Sequence, residues 1–187
     1  MNMRKGAPST FPMTELGDAM KGDALGALPE LQTLVDHLAS TLDEHDFFAD
    51  PTPSDWPRVG RVVDAALADA RRIVPIVDHV TTNIDLGNAR SLRGGIAPWL
   101  GDLAGVLYAS GRAHEATQLL MTAERLTDRD AHKRLFVAAR RDPRSFSVLC
   151  RAQRLARLDR FEEAEALVEA ALPDVADPDL AAAFRAF

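Results

Sequence analysis

"LAGVLYASGRAHEATQLLMTA", residues 103–123, sets small residues at helical intervals on either side of a Gly-Arg pair and reads as two helices joined by a tight turn. A second stretch, "RAQRLARLDRFEEAEALVEAA", residues 151–171, repeats it 48 positions later. Laid over each other, Ala104 matches Ala152, Leu107 Leu155, Arg112 Arg160, Glu115 Glu163, Ala116 Ala164, Leu119 Leu167 and Ala123 Ala171. The matches have a packing logic. Where two antiparallel helices come within about 8 to 10 Å, each needs a small residue, and Ala104 and Ala116 supply them. Gly111 permits the turn, and Asp159 reaches the same left-handed conformation at a smaller cost than most residues.

Working outward, short helices are expected at about 98–110, 113–127, 131–141, 144–158, 161–172 and 178–187, with Gly111, Pro143, Asp159 and Pro173 to Pro178 marking turns. Upstream, Leu28, Leu31, Val35, Leu38 and Leu42 line one side of a helix, and Val59, Val63, Ala66, Ala70, Ile73, Val77 and Val80 line another. Pro51 and Pro53 separate them, Ser54 or Asp55 can cap the second, and Pro57 fits its first turn. The two form an antiparallel hairpin over 25–82, with a kink or a break expected near Arg71 and Arg72 because Pro75 lacks the amide donor and clashes with the preceding turn. Residues 1–24 read as a flexible arm and 83–97, which collects Asn and Gly and runs up to Pro98, as a linker before the repeats of 98–187.

Composition agrees with an all-α fold. Ala and Leu dominate, β-branched runs are scarce, and 47% apolar with 27% charged residues in 187 positions suffices for a buried core. Cys150 stands alone, so neither an internal disulfide nor a multi-cysteine zinc site is available, and a reducing, cytoplasmic setting is expected. No window approaches the roughly 20 apolar residues of a membrane span. A net charge of -6 argues against the whole chain as a nucleic-acid binder.

The repeated pattern resembles the tetratricopeptide repeat family through Ala104, Leu107, Gly111, Ala116 and Ala123, and again through Ala152, Leu155, Asp159, Ala164 and Ala171. The copies lie 48 residues apart where that family uses 34, so an extra helix at 131–141 or an irregular connection must intervene. Arg151 also replaces the usual leucine. The resemblance implies a short α-solenoid that binds extended peptides or helices on the face of each repeat's first helix. Carried onto matching positions, that face comprises Asp102 and Tyr108 in the first copy and Phe146, Gln153 and Arg157 in the second.

The histidines have no metal-ligand spacing, no phosphate-binding loop or nucleophile elbow is present, and "DEHD" at 43–46 reads as a charged helix end. No cofactor, metal or catalytic residue is expected. The electrostatic feature is basic: Lys133, Arg134, Arg140, Arg141, Arg144, Arg151, Arg154, Arg157 and Arg160 face only Asp142 and Asp159 between 131 and 160. Arg151, Arg154 and Arg157 share a broad face. Either these cations pair with the acidic stretch that follows, or they form a groove for an acidic segment. The expected function is a non-catalytic interaction module, an adaptor, scaffold or chaperone-like subunit, that binds an acidic or amphipathic protein segment. Arg154 and Arg157 join the candidate contacts. The alternative is a nucleic-acid factor or enzyme using the basic surface of 131–160. The apolar ending "LAAAFRAF" offers either a cap or a surface for homo-oligomer formation.

Overall fold

The computed structural model describes residues 24–43, 56–82 and 86–187. The expected arm up to residue 23, the proline-rich connection with Ser54 and Asp55, and His45 and its neighbours in "DEHD" lie outside the described residues. The described residues form helices joined by short turns and contain no strand. In chain order the helices are α1 (Ala24–Asp43), α2 (Trp56–Thr82), α3 (Leu86–Ala109), α4 (Ala113–Leu126), α5 (Asp130–Arg141), α6 (Pro143–Arg157), α7 (Phe161–Ala171) and α8 (Pro178–Arg185), with a 3-10 turn at Leu172–Asp174.

Helices α1 and α2 pack together through Leu31, Leu34, Val35 and Leu38 on one side and Val63, Ala66, Ala70 and Ile73 on the other, all buried in one core. Glu30 pairs with Arg72 and His37 with Asp69, so residue numbers rise on one helix as they fall on the other: the hairpin is antiparallel. Of the kink or break expected near Arg71 and Arg72, the break does not occur: α2 runs unbroken to Thr82 with Pro75 inside it.

The linker expected at 83–97 is likewise helical from Leu86 onward. Ala89, Leu92, Ile96, Leu100, Leu103 and Leu107 form one continuous buried stripe at steps of three and four, and burying that stripe outweighs the helix penalties of Gly94, Gly95 and Pro98.

The two hairpins match in detail. Gly111 has φ +79° and Asp159 φ +60°, the left-handed turn expected of both. Arg112 N–H donates to the Leu107 carbonyl at 2.8 Å and Arg160 N–H to that of Leu155 at 3.0 Å. Each arginine then forks onto the glutamate three residues on, Arg112 to Glu115 and Arg160 to Glu163. These charge-assisted bonds hold both carboxyls below the usual carboxylate range. Ala104, Ala116, Ala123, Ala152 and Ala164 are fully buried, as their packing role demands.

The match continues past the hairpins. Phe136 in α5 and Phe184 in α8 are again 48 residues apart, and both are buried. The repeating unit is therefore three helices, α3–α4–α5 followed by α6–α7–α8. An odd number of helices reverses chain direction, so the second unit enters opposite to the first. Contacts agree: Gly105 meets Cys150, Asp102 meets Arg154 and Trp99 meets Arg157, an antiparallel crossing of α3 and α6. Arg134–Asp179 and Arg141–Asp177 show that α5 and α8 also run antiparallel.

Close approach at this crossing depends on glycine. A Cβ on Gly105 would lie 2.7 Å from both Cβ and Sγ of Cys150, while one on Gly60 would meet nothing within 4 Å. Gly105→Ala is expected to lose about 1 to 3 kcal/mol through overpacking, despite alanine's better helix propensity. Gly60→Ala should gain roughly 0.5 to 1 kcal/mol. Urea unfolding midpoints of the two variants should therefore move in opposite directions.

Candidate interaction cleft

An open cleft of about 120 Å³ lies where α3, α5 and α6 meet. Pro98, Gly101, Leu135, Phe136, Phe146 and Cys150 give it an apolar lining, and Asp102, His132 and Gln153 add polar groups. The floor is set by helix spacing: Gly101 admits the Phe136 ring, whose Cε1 would stand 2.7 Å from a Cβ there. His132 stacks at a tilt on Phe136, with ring centroids 6.2 Å apart. Burial, reinforced by the charge of Arg129, lowers its pKa and favours the neutral imidazole. The buried Nδ1 of that ring has no partner.

Asp102 anchors the charged end of the cleft. Its carboxylate is 8% exposed and receives Arg154 Nη2 at 2.5 Å on one oxygen and Arg157 Nη2 on the other. Arg157 also lies over Trp99, 5.6 Å from the ring centroid, a cation–π contact.

Of the candidate residues, Asp102, Phe146 and Gln153 line this one cleft. Arg157 adjoins it through Asp102 and remains partly exposed. Arg154 is corrected: at 2% exposure it is a core cation neutralised by Asp102, not a surface contact. Tyr108 stands apart, half-buried, with its hydroxyl 3.0 Å from Thr117 Oγ1. Much of the remaining basic run is paired within the chain at its surface. Arg134 pairs with Asp179, Arg140 with Glu124, Arg141 with Asp177 and Arg160 with Glu163.

Sequence reasoning missed His132, Leu135, Phe136, Pro98, Gly101 and Trp99. A usable signal existed in "WLGDLAGVL": Asp102 is the lone charge in an apolar helical run, and a buried carboxylate requires a cation.

Cys150 forms part of the floor yet is 3% exposed, and burial, with Asp102 adding to it, raises its pKa far above the ordinary thiol value. The thiolate is the nucleophile, so this cysteine is chemically quiet. Ellman's reagent at neutral pH is expected to label it only at the rate of unfolding, and promptly in denaturant; fast labelling of the folded chain would contradict the burial.

No group of three or more His, Cys, Asp and Glu side chains among the described residues is placed to hold a metal ion. No helix among them is long and apolar enough to cross a membrane. Comparison with known proteins gives no matching family model, no curated relative and no solved structure. What the described residues define is an all-helical fold in which the similar stretches 103–123 and 151–171 form matching hairpins.

Proposed function

We propose that this chain is a non-catalytic interaction module that binds an amphipathic segment of another protein along the α3–α5–α6 cleft. The observation that carries the reading is convergence. Asp102, Phe146 and Gln153, assigned to the ligand face through the tetratricopeptide-like pattern, line one cleft although they are up to 51 residues apart, from 102 to 153. The cleft is open and mainly apolar, with a few polar groups at defined points, which is the composition of a binding surface. Half-buried Leu135 and exposed Pro98 would take the segment's apolar side chains over the floor that buried Phe146 provides, and acidic residues beside them would lie toward Arg157. The reading does not draw on the rest of the basic run, because so many of those cations are engaged within the chain.

Affinity capture with quantitative mass spectrometry tests it. Leu135→Glu combined with Gln153→Arg should remove the captured partner, since both side chains line the cleft outside the fully buried core. Met121→Glu, at an exposed position on α4, should leave capture unchanged. Equal recovery by the cleft variant, with its helical circular dichroism intact, would sink the proposal.

A further inference from the structure

The duplication exposes a second surface. In the first unit α2 packs on α3, and a groove between α2 and α4 is lined by Leu67, Ala70 and Val74 against Gln118, Leu119 and Thr122. Ion pairs from Arg112 to Asp64 and from Arg125 to Asp78 hold α2 along α4. Adding 48 to the α4 positions gives Ala166, Leu167 and Ala170 on α7. Their burial differs in kind. Leu119 is buried, whereas Leu167 is half-buried and Ala166 and Ala170 are exposed. On the partner helices, Leu100 is fully buried in α3, but its equivalent Val148 in α6 is only half-buried. Ala123 and Ala171 differ in the same way.

The second unit thus presents, uncovered, the seam that α2 covers in the first. We propose that the α6–α7 seam is a docking site for an amphipathic helix of a different protein, packing on α6 as α2 packs on α3 and flanking α7 as α2 flanks α4 across its groove. Ala166 and Ala170 let a helix axis approach closely, and Leu167 with Val148 offers apolar surface to its inner face. Charge selects the partner. Helix α7 carries Glu162, Glu163, Glu165 and Glu169 and no basic residue, and Glu162, Glu165 and Glu169 are exposed. The docking helix therefore flanks its apolar stripe with lysine or arginine on the side facing α7. This site lies outside the cleft assigned above, and either proposal can fail without the other.

The probe is a fluorescein-labelled peptide of residues 56–82 with Asp64, Asp69 and Asp78 each replaced by lysine, added to the full-length chain and followed by anisotropy. Binding is expected, weakening as salt is raised. Ala166→Arg with Ala170→Arg should weaken it about tenfold, a loss of 1.4 kcal/mol. Replacing Glu162, Glu165 and Glu169 with lysine should weaken it at least as much, while Gln118→Arg on α4 should leave it unchanged. Absence of binding overturns the proposal. So does binding that ignores the α7 variants and responds only to Gln118→Arg, because the peptide would then be exchanging into the place of α2.

Discussion

Asp102→Ala is expected to destabilise the fold by about 3 to 5 kcal/mol, the cost of leaving a buried cation without its counter-charge. Arg154 is 2% exposed and cannot reach bulk water without parting α3 from α6. Arg157 is different, since it keeps its stack on Trp99 and is partly exposed. The loss should therefore follow Arg154. In the double variant Asp102→Leu with Arg154→Met, apolar groups of similar volume replace the pair, and most of the stability should return. Urea unfolding of the two variants measures this directly. If the double variant is as unstable as Asp102→Ala, the damage lies in packing at the crossing and not in the stranded charge.

Phe184→Ala should cost a comparable amount, about 3 to 5 kcal/mol, through the cavity left by a large buried ring. Phe184 is 1% exposed and is the main anchor of α8, a helix of eight residues, with Leu180 one turn before it. So short a helix has little stability of its own and owes its existence to docking. The loss should accordingly begin locally: hydrogen exchange at residues 181–185 should accelerate before that of α3 or α6. Phe187→Ala, at an exposed position three residues on, should stay within about 0.5 kcal/mol of the parent. A uniform rise in exchange across all helices would mean that α8 unfolds only with the whole chain.

These two variants also mark what the sequence can tell. Helix boundaries after residue 98 were legible to within one or two positions, because Gly111, Asp159, Pro143 and Pro178 are local signals that tertiary contacts do not override. The first half of α3 was not. Gly94, Gly95 and Pro98 argue locally for a linker, and only a partner surface along the Ala89–Leu107 stripe makes a helix the better state. The cleft was half legible for a related reason. The tetratricopeptide resemblance nominates Asp102, Phe146 and Gln153 one helix at a time, but the meeting of Gly101 with Phe136 joins helices far apart in the chain. Arg154 fails as a surface contact on the same ground: an arginine every third residue reads as a solvated stripe until a carboxylate 52 residues away draws one of them into the core.

The glycine that admits Cys150 has a consequence for extending the protein by design. Gly105 is matched 48 residues later by Gln153, which is exposed. A third three-helix unit grafted beyond α8 would reverse direction again and bring its own first helix across α6, where the glutamine side chain would stand in the crossing. Such a graft would need Gln153→Gly to let the helices approach, and a carboxylate at position 150 to receive the arginines that follow. Lengthening the array would thus require remaking the cleft's own lining.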